Sequence, residues 1–521
     1  MCYERCIAPP SPELEEKIIR SKQRLREGIA LPGKTDKDVL DQKSAALILT
    51  RPPKTRAHTL ISPTKQFSPI VGVRKALVLL VDFSDKTAAQ TQQHYSDMLF
   101  SSGTYATGSM RDFYREASYG RLDVVGEVSG TGGPTAGWYR APQTKAYYTN
   151  DDYGFGSYPR NAQKLVEDVI DLAAPHVNFA EYDNDGDGIV DALVIIAAGS
   201  GGEATGNRSD IWSHKWSIAP KTYNGVQIRN YFMAPEDGRV GVMAHELGHL
   251  LMQWPDLYDT DYSSRGTGRW DLMAGGSWNN GGDTPAHPTA WCKLQAGWIT
   301  PKVIFNDAQS VNIQPYHSSA DVYKLPIGDV NSKEYFLVTN RQQQGFDRYL
   351  PGSGCIIEHV DDNQANNTDE NHYLVDIEQA DGNRDLNTNA NSGDTGDAFP
   401  SGANNVFNDT TTPNSKAYDG SNSSIDVSAI RLTGNTINAT ISVGTVSTQV
   451  WLANKIIDRT YTSYHTQNAW VHIKNTGWRK IKSDHPDGVT HLLIMACEAQ
   501  ANNVPVTVYV DDSTIYRMYM V

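Results

Sequence analysis

The sequence predicts an α+β fold: a mixed sheet with one apolar-striped helix, then a β-rich region, then a small C-terminal β-sandwich-like module. Three observations predict it. "KALVLLVDFSD" and "DALVIIAAG" are short, unbroken apolar runs of the kind buried strands show. "NAQKLVEDVIDLAA", lying between them, repeats apolar residues at helical spacing. From about residue 301 strand-like segments dominate ("EYFLVTNRQ", "GCIIEHVDD", "HYLVDIEQ", "NATISVG"), separated by loops rich in Asn, Asp and Gly.

Taken in order, residues 1–68 read as a propeptide-like leader. Ser11 is a good N-cap, Pro12 suits the first helical position, acids fill the first turn, and Gly28 ends the helix. A polar, Pro-rich connector follows ("TRPPKTRAHTLISPTKQFSP"). Residues 69–300 mix helices and strands, and 301–446 continue as a β-rich region. Residues 447–521 read as a separate β module, in which "VPVTVYVDD" and "STIYRMYMV" suggest a hairpin.

The chain of 521 residues carries a formal charge of −14, which argues against nucleic acid as its main partner. No stretch is long and apolar enough to span a membrane. Residues 1–68 hold 13 Lys and Arg against 8 Asp and Glu, a net of +5 that leaves −19 on the rest. A basic leader beside an acidic body suggests that the leader docks on the body, the alternative being a solvated basic tail. Five scattered cysteines imply no disulfide framework. The N-terminus shows no apolar core of a classical signal peptide.

"MAHELGHLLMQWPDLYD" carries the chemistry. His245 and His249, four apart on a helix, share one face and sit one turn apart, which suits two imidazoles on one zinc ion. Met243, Leu247, Leu250, Leu251 and Trp254 supply an apolar stripe for such a helix. Zinc lowers the pKa of a bound water to roughly 7, and Glu246 is placed to take its proton. The bland reading of the pair is two core histidines.

A catalytic zinc needs a third protein ligand, and Asp256, Asp259, Asp261 and the more distant His287 are the candidates. On a straight helix Asp256 would lie about 10 Å beyond His249 along the axis, at 1.5 Å per residue. The chain must therefore fold back. Met252 cannot turn cheaply through positive φ as glycine would. The expected route is helix to Leu251 or Met252, then a wider turn through Gln253 and Trp254. Pro255 blocks further helix and pushes Trp254 into extended geometry. That route returns Asp256 to the metal.

"ALVLLVDFSD", "SMRDFYREASYGRLDV", "IWSHKW", "GVMAHELGHLL", "PDLYDTDYSSRGTGRWDLMAGGSW", "HPTAWCKLQAGWI" and "EYFLVTNRQQQGFD" follow one another in an order that resembles the immune inhibitor A family of metallopeptidases. The resemblance covers roughly residues 70–430. It implies a secreted zinc endopeptidase of metzincin-like fold acting on proteins or peptides. It also implies His245, His249 and Asp256 as ligands, Glu246 as general base, and Met273 in a methionine turn beneath the metal. The chain departs from the family in lacking the glycine before "PDLYD" and in being one residue longer there. Tyr258, Tyr262 and His287 are candidate helpers for the oxyanion.

"DNDGDGIVD" places Asp183, Asp185 and Asp187 at alternating positions, with the carbonyl of Ile189 and the carboxylate of Asp191 following. This is the start of a calcium loop, though Val194 stands where a closing glutamate belongs. "EQADGNRDLN" and "GDTGDAF" offer a second oxygen-rich region. Two further expectations concern function. Residues 1–68 are an inhibitory segment, with Cys2 or Cys6 available to cap the zinc as a thiolate. The rival from another class is a calcium-stabilised adhesion or carbohydrate-binding protein whose zinc site has lapsed.

Overall fold

Two strands buried on both faces set the centre of the structure, a computed structural model. It describes residues 5–31, 39–49, 69–129, 137–444, 450–464, 468–482, 486–510 and 514–521. The Pro-rich connector lies largely outside the described residues. In chain order come β1 (Cys6–Ile7), α1 (Pro12–Arg26), α2 (Gln42–Leu49), β2 (Gly72–Asp82), α3 (Gln92–Phe100) and α4 (Met110–Ala117). There follow β3 (Leu122–Val128), β4 (Trp138–Arg140), α5 (Lys145–Thr149), α6 (Ala162–Ala173), β5 (Leu193–Ala197), α7 (Gly202–Thr205), β6 (His214–Tyr223), β7 (Val226–Pro235) and α8 (Val240–Leu247).

β2 and β5 pair in parallel, Leu77 opposite Leu193 through Val81 opposite Ala197. Ala76 to Val81 and Leu193 to Ile196 are wholly buried, as parallel strands covered on both faces must be. The sheet runs β1-β6-β7-β5-β2-β3, with β4 also on β2. Its inner pairs are parallel, whereas β6 on β7 and β1 on β6 are antiparallel. α6 buries Leu165, Val166, Val169, Ile170 and Ala173 on one face and lies against β6 and β2. α4 begins in a capping box, Ser109 with Asp112, and packs on β3 and α8. α1 starts as expected, Ser11 Oγ accepting the N–H of Leu14 ahead of Pro12.

The chain divides into two compact units, Met1–Gly444 and Thr445–Val521. Within the first, residues beyond 301 build a five-stranded and a four-stranded sheet around a common core that includes Leu325, Phe336, Ile357, Val427, Ile437 and Ile441. A buried polar network joins these sheets to the segment before them. Arg341 donates to Asp347 at 2.8 Å, and Asp347 in turn accepts the N–H of His287 at 2.9 Å. Burial alone would raise the Asp347 carboxyl, but Arg341 and His287 outweigh it and hold the pKa at about 2. Glu358 accepts the N–H groups of Ala290 and Trp291 at 2.7 and 3.1 Å, capping the short helix Ala290–Gln295. Asp347→Ala is expected to cost about 3–5 kcal/mol, because it strands the Arg341 charge in the interior. The urea midpoint measures this. A loss below about 1 kcal/mol would mean that Arg341 finds water.

The second unit differs from the expected sandwich. Its described residues form one six-stranded sheet together with the helix Pro486–Asn502. The hairpin is there, Val506–Val510 against Thr514–Met520. The helix has a readable signal: Val489, Leu492, Leu493, Ala496 and Ala499 follow helical spacing and pack into the unit's core. Among the described residues, no helix is long and apolar enough to cross a membrane.

Candidate metal centre

α8, apolar and entirely buried, presents His245, and the helical turn that continues it presents His249. The extra residue in the following turn is absorbed within the helix. Gly248–Met252 form one turn of π-helix, in which the N–H of Gln253 donates to the carbonyl of Gly248, five residues back. A π turn takes up one residue more than an α turn, and such turns recur at functional sites. Gln253 then adopts φ 57° and ψ 28°, the left-handed conformation that glycine favours. The reversal therefore falls at Gln253, one residue after the position where the family's glycine is expected. Trp254 anchors the exit: its indole N–H donates to the carbonyl of Cys292 at 2.9 Å, and its ring meets Trp298 edge to face. Because a non-glycine residue in the left-handed region costs roughly 1–2 kcal/mol, Gln253→Gly is expected to be neutral or stabilising by up to about 1 kcal/mol. A β-branched residue there should destabilise. Thermal unfolding of both variants checks the sign, and a Gly variant that loses stability would contradict the strain.

The turn delivers Asp256. Its Oδ1 lies 3.0 Å from His249 Nε2 and 3.2 Å from His245 Nε2, and the two Nε2 atoms are 3.0 Å apart. His245 Nδ1 faces the carbonyl of Leu272 at 3.0 Å, and His249 Nδ1 that of Trp254 at 2.6 Å. Each Nδ1 is thereby the donor, which leaves both Nε2 lone pairs turned toward the Asp256 oxygen. Three buried acceptors facing one another repel unless a cation lies among them. Donors held at about 2.0–2.1 Å on a tetrahedral metal stand roughly 3.3 Å apart, close to these spacings. The residues fit a divalent metal.

Burial raises the Asp256 carboxyl; with the imidazoles protonated instead of metal-bound, His249 and His245 would more than offset it and lower its pKa. Burial lowers the His249 pKa against the pull of Asp256. Glu246 is wholly buried; neither carboxylate oxygen makes a hydrogen bond of full geometry, though the main chain of Lys215 on β6 comes close enough to favour its charged form. Burial first, then the charge of Asp256, pushes its pKa well above the ordinary glutamate value. Beneath the helix, a Cβ on Gly248 would meet Met273 Sδ and Trp254 Cε3 at 3.0 Å each, so only glycine lets both pack this close. Met273 also accepts the N–H of Leu257 through its carbonyl at 2.9 Å.

The other candidates divide. Tyr258 is buried near Asp256, and its hydroxyl donates to the carbonyl of Ile7 at 3.0 Å. Tyr262 stacks obliquely beside it at 6.4 Å. Asp259 stands outside the donor set, its oxygens accepting from Asp261 N–H, Ser263 and Ser264. Asp261 pairs with Lys22. His287 is a correction to the expectation. Its Nε2 faces Glu116 at 3.0 Å and its Nδ1 faces Lys293 at 3.1 Å, so both ring nitrogens serve the buried network, not the metal. Glu116 is 171 residues away in sequence, and nothing local announces the pair.

In the acidic loop, donor oxygens of Asp183, Asp185 and Asp191 lie within 4.8 Å of one another, with Asp187 outside that group. Burial chiefly, with Asp185 adding to it, brings the Asp191 pKa up to about 6. Ile189 forms an isolated bridge with Gln227. The second oxygen-rich region likewise gathers Asp381, Asp385 and Asp394 within 4.8 Å.

Residues 70–303 match the family model described as "Immune inhibitor A peptidase M6, catalytic domain". The chain is 31% identical over 333 residues to the pre-pro-metalloprotease PrtV of Vibrio cholerae serotype O1 (strain ATCC 39315 / El Tor Inaba N16961), covering 52% of this chain and 34% of that protein. It is 33% identical over 276 residues to immune inhibitor A of Bacillus thuringiensis subsp. alesti, covering 42% and 38%. The chain thus spans little more than a third of the length of the curated relatives it matches.

Proposed function

We propose, from the match of residues 70–303 to the immune inhibitor A peptidase catalytic domain, that the chain is a zinc-dependent endopeptidase cleaving protein or peptide substrates. The observation that carries this reading is the meeting of three acceptor atoms beside a wholly buried carboxylate, that of Glu246. His245, His249 and Asp256 would hold the zinc. When bound, zinc supplies an acidified water and polarises the substrate carbonyl.

The chain's own groups do the rest. Glu246 takes a proton from the attacking water and returns it to the leaving amine. Desolvation suits it to both tasks, because a raised proton affinity makes it a stronger base. The Tyr258 hydroxyl, which already donates to a peptide carbonyl, is placed to steady the developing oxyanion. The carbonyls of Leu272 and Trp254 hold the imidazoles in place, and Met273 packs against the helix at Gly248, between them in sequence. An intact donor set favours this reading over a lapsed site in an adhesion or carbohydrate-binding protein. The resemblance to the family favours a secreted protein, with which the low cysteine content is compatible.

The test uses the zinc-reconstituted chain with an engineered cleavage site after Ser68, before and after cutting. Fragments of an unfolded protein substrate should appear after cutting and vanish with a chelator. Fragments absent in both states, with glycan binding present, would sink the peptidase reading in favour of its rival.

Calcium is the second ion in this reading, on Asp183, Asp185 and Asp191 with the Ile189 carbonyl, and Asp187 at the margin. Calcium at a hundred times its Kd should stabilise the chain by about 2.7 kcal/mol. The thermal midpoint in calcium against chelator measures this, and an unchanged midpoint at millimolar calcium removes the ion.

A further inference from the structure

The edge of the central sheet beside the metal centre is not bare. β1 lies antiparallel on β6, Cys6 opposite Lys215 and Ile7 opposite His214. The ladder runs one pair further, the N–H of Ala8 donating to Ser213 O at 3.0 Å, and beyond it the N–H of Ser11 donates to Glu203 O, in α7, at 2.7 Å. Side chains of the body complete the grip. The Trp212 indole donates to Ala8 O at 2.8 Å, the Trp278 indole to Pro9 O at 2.9 Å, and Tyr258 to Ile7 O. An extended peptide bound by main-chain bonds to a sheet edge is how a strand-shaped ligand is held. Here the ligand is the chain's own N-terminal segment.

α1 fastens the segment. Leu14 and Ile18 are buried in a cluster with Trp212, Tyr258 and Tyr262. Glu15 and Glu16 pair with Arg265, and Lys22 with Asp261 at 2.7 Å. The leader as a whole is basic, yet the paired charges run both ways, so apolar burial and specific pairs hold it more than bulk charge does.

The segment also brings a donor. Cys6 Sγ lies with ligand atoms of His249 and Asp256 in a group whose members are all within 4.8 Å of one another. Asp256, in the same group, keeps its second oxygen, Oδ2, buried and without a hydrogen-bond partner. That oxygen and a thiolate are both acceptors, and a cation shared with the imidazoles would satisfy them together. We propose that Cys6, as a thiolate, is the fourth ligand of the metal, and that residues 5–26 hold the peptidase latent by filling both its coordination position and its substrate edge. Cys2, the other cysteine considered, lies outside the described residues.

The inference rests on the metal reading above and adds regulation to it. Two histidines, one carboxylate and one thiolate make a closed four-coordinate site, the arrangement of structural zinc. An active site needs one position open to water. Latency and catalysis therefore differ by one ligand. When the segment leaves, Cys6 departs, gaining a proton as free thiol, and water gains both its coordination position and access to Glu246. The same departure bares β6 and frees the Tyr258 hydroxyl for a substrate carbonyl. The thiolate is disfavoured as a ligand wherever it is protonated or alkylated, so metal and thiol chemistry are coupled here.

The experiment loads the full chain with cobalt(II) and records its absorption spectrum. The parent should show a near-ultraviolet sulfur-to-cobalt charge-transfer band together with the visible ligand-field bands of tetrahedral cobalt. C2S should keep the charge-transfer band. C6S should lose it, keep the ligand-field bands, and show at least about tenfold higher basal hydrolysis of a protein substrate when loaded with zinc, a gain of about 1.4 kcal/mol. The parent spectrum alone decides the matter if C6S fails to fold: cobalt bound without the sulfur band overturns Cys6 as a ligand. Cobalt bound and hydrolysis retained, with no sulfur band in the parent, discards this inference and leaves the peptidase standing. A chain that binds no cobalt overturns both.

Discussion

Replacing Glu246 by glutamine is expected to lower kcat for peptide hydrolysis by about 10²–10⁴-fold, the usual worth of a positioned general base. Glutamine has nearly the same shape, so the metal content should stay at that of the parent. The comparison belongs on chain cut after Ser68, where the N-terminal segment no longer masks the difference. The same side chain has an effect on stability that does not depend on turnover. In metal-free protein, burial raises the Glu246 pKa above that of the unfolded chain. The folded state then holds a proton that the unfolded state has released. Stability from this group is complete below the ordinary glutamate pKa and declines as pH rises above it. Metal-free E246Q lacks that decline, and toward neutral pH it should be the more stable of the two. Urea unfolding across pH checks this. Hydrolysis within about threefold of the parent would remove Glu246 from the chemistry altogether.

Asp256→Ala is the second large effect. Removing a partner that merely orients a ligand weakens metal binding by about 10–100-fold, and removing a ligand itself should exceed the upper figure. Two histidines remain, and two ligands do not make a catalytic site. Competition against a metal buffer measures the affinity, and hydrolysis should fall with it. Asp256 also carries the meaning of the whole turn. The π-helical turn and the strained Gln253 serve no visible purpose if the carboxylate is not needed. Unchanged affinity in the alanine variant would therefore unseat the third ligand and the reading of the bend together.

Much of this centre was legible before any coordinates. The histidine pair, the neighbouring glutamate and the need for the chain to double back follow from helix geometry alone. The return of Asp256 follows from the extra residue and Pro255. How the doubling back is done was not legible. Gln253 has no left-handed preference of its own, and a π turn leaves no composition signature. It forms because Trp254, buried against Trp298, and Asp256, drawn to the histidines, fix both ends of the segment. His287 was misplaced for a related reason: its partners Glu116 and Lys293 meet it only in the fold. The helix Pro486–Asn502 has visible helical spacing, but the strand-like segments on both sides of it favour an all-β expectation for the module. The docking of α1 was suggested by charge, but the pairs that make it, Glu15 and Glu16 with Arg265, oppose the bulk trend.

The buried network around Arg341 and Asp347 bears on how the protein can be dissected. The family match ends at residue 303, yet Glu358, which caps the helix Ala290–Gln295, and Asp347, which binds the His287 amide, lie well beyond it. A fragment trimmed to the matched segment would open that helix end to solvent and take from Lys293 the Tyr316 ring and the nearby charges of Asp347 and Glu358. The smallest piece worth expressing is therefore set by where buried charges find their counterparts, and it runs to Gly444.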